Sequence, residues 1–302
     1  MLEGVVNILK PPGMTSSDVV SDVRRIFETK KVGHAGTLDP GAAGVLPVCV
    51  GRATRLFDYL VDKDKIYIAE IAFGAETDTQ DAYGTIIKSD CTADVSSERL
   101  EAVLPSFTGR IMQTAPVYSA LNYKGQKMYK LARQGKPVEP KTREITVSSL
   151  NLIKRIDLKR FLLKIECSKG TYVRTLCHDI GKALNTCAYM SFLLRIKSGR
   201  FTIEDSYSIA TLQELKTLGE LDGAVTPVDM AVAHLPALYL DDITKRDKRL
   251  LTNGAPIPLP KRFCGLTNEG RLRIYAGDFI GIGGADGELV KVSTLLYAGE
   301  DV

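Results

Sequence analysis

The 302-residue chain has no tryptophan, three histidines and no closely spaced pair of cysteines. Each scarcity closes off a kind of chemistry. The six cysteines, at 49, 91, 167, 177, 187 and 264, contain no C-x-x-C and read as reduced thiols rather than a disulfide framework. Cys167, Cys177 and Cys187 step evenly by ten with His178 nearby, but zinc ligands arrive in closely spaced pairs, so these are expected to be small core residues. The phosphate loop G-x-x-x-x-G-K-S/T, H-E-x-x-H and G-x-S-x-G are all missing, and Gly281-Ile282-Gly283-Gly284 lacks a third glycine at dinucleotide spacing. The expectation is an activity with no cofactor and no metal. No run approaches the ~18 apolar residues of a membrane helix. Met1-Leu2-Glu3-Gly4 does not open a signal peptide, so a cytoplasmic protein is expected.

What is present is an ordinary globular composition, 44% hydrophobic and 25% charged, which excludes collagen-like and disordered classes. The net charge of +4 is too small to announce a nucleic-acid partner. Its distribution is uneven. Residues 117–174 hold fourteen Lys and Arg against Glu139, Glu144, Asp157 and Glu166, a local +10, and the remainder of the chain is −6. Most charge runs are solvated faces. A run this lopsided, interleaved with Tyr118, Tyr123 and Tyr129, favours a surface for phosphates and stacked bases.

Local patterns give a coarse map. Gly4 to Leu9 is a short apolar strand that ends at Lys10-Pro11-Pro12-Gly13. Thr15 to Asp18 supply cap chemistry for a helix with Val19, Val20, Val23, Ile26 and Phe27 on its apolar face. Lys31 to Gly51 is too Gly-rich for a helix, and a helix resumes with Ala53, Leu56, Phe57 and Leu60 on one side. Asp64 to Phe73 reads as a strand with Tyr67, Ala69 and Ile71 on one face. A helix is expected from about Ser97 to Leu104, and two strand-like runs lie between Leu150 and Cys167. Tyr172 to Arg174, if extended, sends both end side chains to one side, ahead of a helix that ends near Leu184. Beyond a linker around His234, short strands at Arg271–Tyr275 and Glu288–Val292 predict a small β-rich unit.

From the residues alone, the chemistry centres on an aspartate in a Gly/Pro-rich loop, Gly33-His34-Ala35-Gly36-Thr37-Leu38-Asp39-Pro40-Gly41. Such a carboxylate works as nucleophile or base only while ionised, which an arginine within about 4–6 Å favours; Arg174 is the best candidate. The plainer reading is that Asp39 caps a turn before Pro40.

Five ordered blocks tip the balance: LKPPGMTSS (9–17), GHAGTLDPGAAGVLPVCVGR (33–52), KIYIAEIAFG followed by TDTQDAYG (65–84), PVYSALNYKGQKMYKLARQG (116–135) and KGTYVRTLCHDIGKAL (169–184). Through most of residues 4–235 the sequence resembles the TruB family of tRNA pseudouridine synthases. The resemblance implies an α+β protein of the pseudouridine synthase fold, with a central, mostly antiparallel mixed sheet flanked by helices and loops. It implies a catalytic domain over 1–235, with a basic RNA-binding insertion at about 117–145, and a short PUA-like RNA-binding domain over 238–302. It makes Asp39 the catalytic aspartate, Arg174 its partner, and Tyr67 and Tyr172 active-site tyrosines. Lys10 is the supporting motif lysine and His34 the histidine that helps to reorganise the T-loop. In AYMSFLLRIKSGRF, Leu193 falls on the pocket leucine, with Leu194 as the alternative because Tyr189 and Leu194-Arg195 stand where the family usually has His and a double Arg. Lys124, Lys127, Lys130 and Arg133 become RNA contacts. The implied activity converts uridine to pseudouridine at position 55 in the T-loop of tRNA, by flipping the base and rearranging its glycosidic bond. The implied protein is a monomer that works on the T-arm with no protein partner and no membrane. Two rival classes are a non-catalytic tRNA-binding or chaperone protein and a nucleoside or glycoside hydrolase, the latter requiring a second carboxylate beside Asp39 that no motif supplies.

Overall fold

The computed structural model describes residues 2–297 except 62, 90–93, 120–121, 124, 129–130, 132–133, 135–139 and 264; of 122, 123, 127 and 268–270 it describes the backbone only. Part of the candidate insertion therefore lies outside the described residues, including Lys124, Lys130, Arg133 and the side chain of Lys127.

A ten-stranded sheet forms the centre, with its main path running β14-β1-β3-β12-β4-β11-β10-β7. These strands are β1 (Gly4–Lys10), β3 (Ala43–Val50), β4 (Lys65–Phe73), β7 (Gly109–Thr114), β10 (Thr142–Arg155), β11 (Arg160–Cys167), β12 (Ala188–Ser198) and β14 (Val225–Thr226). Each neighbouring pair on that path is antiparallel except β12 and β3, which run parallel through Leu194↔Ala43 and Arg195↔Gly44. The expected mostly antiparallel mixed sheet is what the chain forms.

Period-2 alternation sets β4 in place: Tyr67, Ala69 and Ile71 are buried on one face, as the sequence predicts. The same core takes in α1 (Ser16–Ile26) and α4 (Val173–Ala183), through Val19, Val23, Ile26, Leu176 and Ile180. Helix α1 opens with a capping box in which Thr15 and Asp18 satisfy each other's backbone amides. Cys49, Cys167, Cys177 and Cys187 are free and buried, the core role expected of them.

Two local readings are corrected. The run from Gly51 to Val61 is a 3-10 helix followed by the one-turn helix α2 (Phe57–Val61), and that change of period leaves Phe57 46% exposed rather than on the buried face. The glycine-rich segment before Gly51 is not a helix, as expected, and its second half forms the strand β3. Tyr172 is extended, but Arg174 already lies in the first turn of α4, so the two are related by a helix start rather than by strand alternation.

Residues 237–295 build a second, five-stranded sheet, β15 (Ala237–Tyr239), β17 (Thr267–Ala276), β18 (Asp278–Asp286), β19 (Leu289–Leu295) and β16 (Ile257–Pro258) in that spatial order. It does not hang from a bare linker. Ile282 and Leu296 share a buried cluster with Val5 and Val45 of the central sheet and with Leu56 of the 3-10 helix after β3. Arg55 donates to the Leu295 carbonyl at 2.6 Å, and the hydroxyls of Tyr59 and Thr294 lie 3.0 Å apart. Among the described residues, no helix is long and apolar enough to cross a membrane.

Candidate active site

The parallel contact between β12 and β3 decides where the site forms. It brings the loop that enters β3, residues 36–43, beside the middle of β12. Met190 of β12 in turn accepts the loop after β5 (Ala75–Thr77), donating its amide to the Gln80 carbonyl at 3.0 Å. Between these pieces lies a cavity of about 600 Å³, lined by Asp39, Asp81, Tyr83, Tyr118, Arg174 and Leu193 among others.

Asp39 sits at the tip of its loop with a carboxylate that is 39% exposed, facing the buried guanidinium of Arg174 at 3.6 Å. The expected pairing is therefore present. Arg174 has a second acid, which the sequence reading missed: Asp81 Oδ2 lies 3.3 Å from Nη1. Its other nitrogen, Nη2, donates to the Tyr118 carbonyl at 2.6 Å. Asp81 is only 12% exposed, and its second oxygen accepts the Thr79 hydroxyl at 2.7 Å and the Tyr83 amide at 3.0 Å. A carboxylate so fully engaged is a fixed anion for Arg174, not a free acid for two-carboxylate hydrolysis. Its only sequence signal was its place inside TDTQDAYG.

The loop carrying Asp39 has nearly all its carbonyls satisfied. The Ser16 hydroxyl, at the start of α1, bonds both the amide and the carbonyl of Leu38. Lys10, wholly buried, donates to the carbonyls of Pro11, Pro40 and Ala42 at 2.8, 3.2 and 2.6 Å. Burial lowers its pKa to about 8, partly opposed by the negative charge of Asp39. Lys10 thus touches the main chain of the site and not the cavity.

The remaining predicted residues divide. Leu193 is buried and lines the cavity, whereas Leu194 does not line it. Tyr67 and Tyr172 are not among the cavity-lining residues. Burial raises the pKa of Tyr67, so its hydroxyl stays protonated at neutral pH; a hydrogen bond from Arg195 works in the opposite direction. Tyr172 is clamped by Gln113, which accepts its amide at 2.8 Å and donates to its carbonyl at 3.0 Å. The guanidinium carbons of Arg143 and Arg174 lie 5.0 and 5.7 Å from the centre of its ring. His34 ends β2 (Val32–His34), and burial followed by the Arg195 charge lowers its pKa, leaving a neutral ring at pH 7. An aromatic absent from the prediction is Tyr83, 70% exposed at the cavity, its ring so close over Gly41 that a Cβ there would lie 1.8 Å from Cε2.

The basic band is less uniform than its +10 implied. Arg174 is inside the site, Arg160 pairs with Asp157 and Glu70, and Arg155 lies over the Phe161 ring. The charge open to a polyanion is smaller than the count.

The family model for the TruB pseudouridylate synthase N-terminal domain matches residues 24–173. That for the tRNA pseudouridylate synthase B C-terminal domain matches 174–233. The chain belongs to the TruB family. It is 45% identical over 296 residues to tRNA pseudouridine synthase B of Caldanaerobacter subterraneus subsp. tengcongensis, covering 97% of this chain and 99% of that one. It is 41% identical to tRNA pseudouridine synthase B of Bacillus pumilus, covering 91% and 90%. Among solved structures, an H/ACA RNP bound to a substrate RNA containing 2′-deoxyuridine superposes with a TM-score of 0.73 at 26% identity, covering 97% of this chain and 85% of that one. An archaeal box H/ACA sRNP Nop10-Cbf5 complex gives 0.71 at the same identity, also covering 97% and 85%. As a TruB-family isomerase, the chain is an enzyme of tRNA pseudouridine formation. The junction of the two family models falls within α4, so the cavity draws Asp39 and Asp81 from one part and Arg174 and Leu193 from the other.

Proposed function

We propose that this TruB-family enzyme isomerises the uridine at position 55 in the T-loop of tRNA, using Asp39 on a base flipped out of the loop. The observation that carries this reading is the half-open carboxylate of Asp39 set at 3.6 Å against the buried Arg174 at a cavity of about 600 Å³. The reaction breaks the N1–C1′ bond and joins C1′ to C5 of the same base; the proton on C5 is lost and N1 gains one. Asp39 opens the glycosidic bond, either as a nucleophile at the sugar or by assisting formation of an unsaturated sugar, and both routes need it ionised. Arg174 sets a positive charge 3.6 Å from it, and a site that excludes water enlarges that electrostatic role. Leu193 and Tyr83 offer apolar and aromatic surface to a flipped base, whose extraction costs a few kcal/mol.

Tyr67 and Tyr172 support the site, His34 packs as a neutral ring against the remodelled loop, and the insertion with Lys124, Lys127, Lys130 and Arg133 contacts phosphates. Residues 1–235 act as the catalytic domain and 238–302 as a PUA-like RNA-binding unit. The enzyme works in the cytoplasm as a monomer. The test is incubation with a T-loop stem-loop transcript: pseudouridine at a single uridine supports the reading. Free uracil would identify a hydrolase, and binding without product a chaperone.

A further inference from the structure

Arg195 is 1% exposed, and what surrounds its guanidinium is carbonyl oxygen. Nε donates to Val45 at 2.7 Å, Nη2 to Gly36 at 3.1 Å and Nη1 to Thr37 at 3.5 Å. Burying a guanidinium is costly, and it is tolerated only where its donors are used. All three carbonyls belong to the segment that carries Asp39. Gly36 and Thr37 lie on the limb leading to it and Val45 on the limb leading away. The main chain adds a fourth tie: Arg195 is the strand partner of Gly44, whose φ is +109°, and a Cβ there would lie 2.2 Å from the Arg195 carbonyl oxygen. One residue thus grips both limbs of the loop, with Asp39 at the tip between them. Its partner across the β4–β12 pairing is Tyr67.

We propose that Arg195 is a positioning residue for the isomerisation: its fan of donors sets the attitude of Asp39 toward the sugar without touching the substrate. This rests on the synthase reading above. A lysine cannot reproduce the arrangement, since a single ammonium lacks the planar fork that spans three carbonyls. A displacement of about 1 Å at a reacting group can cost on the order of 100-fold in rate.

The experiment uses the full chain with Arg195→Lys, and compares kcat, KM and the Kd for tRNA with those of wild type turning over the same transcript. The expected result is a kcat reduced about 30-fold or more, with Kd changed less than about threefold, in a protein whose circular dichroism and urea unfolding remain cooperative. A well-folded Arg195→Lys whose kcat stays within threefold of wild type overturns the proposal. So does a kcat loss matched by an equal loss of tRNA affinity. If Arg195→Lys does not fold, Arg195→Gln is measured the same way; if neither folds, Arg195 is a structural residue only and the proposal fails. An inactive wild type would instead sink the synthase reading, which keeps the two failures apart.

Discussion

Asp39 and Asp81 share one guanidinium. Arg174 presents Nη1 to Asp81 at 3.3 Å and Nη2 to Asp39 at 3.6 Å, so the more buried acid holds the closer position and the exposed one is left to react. Asp81 therefore fixes the direction in which Arg174 faces Asp39. Replacing it by Asn turns an amide with donor hydrogens toward Arg174 and leaves a buried cation with half its counter-charge. Asp81→Asn is expected to lower kcat by about 10- to 100-fold at unchanged tRNA affinity. Steady-state kinetics with a filter-binding Kd check it, and a kcat within threefold of wild type would remove Asp81 from the site's workings.

Asp39→Asn keeps the shape of the loop tip and removes the charge. Pseudouridine formation is expected to fall below about a hundredth of wild type while tRNA binding persists, because the group lost acts on the reacting bond and not on the phosphates. A variant that turned over faster than that would deny Asp39 its role at the sugar.

Phosphate contacts have a separate signature. Removing three of them lowers the slope of log K against log salt by about 2, at roughly 0.7–0.9 per contact. The triple substitution of Lys124, Lys127 and Lys130 by Ala is expected to weaken tRNA binding and flatten its salt dependence by that amount. An unchanged slope would make these lysines part of a solvated face; Arg155, Arg160 and Arg174 of the same band are already engaged within the protein.

The difference between what was legible and what was not follows from where the signal lies. Tyr67, Ala69 and Ile71 show their burial by alternation, and Thr15 announces a helix by its side-chain oxygen, because both are local physics. Asp39 and Arg174 were legible only through ordered motifs, since 135 positions separate them and nothing local joins them. Asp81 lies inside the ordered block TDTQDAYG and Arg195 beside the pocket leucine, but nothing local marks the part that either plays. Each is a charged residue whose partners come from other strands and loops, and a charge on a strand or in a turn reads by default as solvent-facing. Arg195 keeps one arginine of the family's usual pair, next to the departing Leu194, yet its three carbonyl partners exist only once β12 lies parallel to β3.

Lys10 gives a prediction in pH whose two parts have opposite signs. Its pKa in the folded protein is about 8, against 10.5 for a free side chain, with burial the main cause. Between those values the unfolded chain binds more protons than the folded one, so stability rises with pH across the window, and the contribution is lost as pH falls through 8. Activity moves the other way. Losing its proton leaves Lys10 with too few donor hydrogens for the carbonyls of Pro11, Pro40 and Ala42 and removes a positive charge from the neighbourhood of Asp39. Wild type is expected to show an alkaline limb in kcat near pH 8 that Lys10→Met lacks, with the variant running on a lower plateau. Urea unfolding of the two proteins at pH 7 and pH 10 should show wild type gaining stability relative to Lys10→Met as pH rises. A limb that survives in Lys10→Met would assign it to another group, and a stability difference that shrinks at high pH would contradict a buried, charged Lys10.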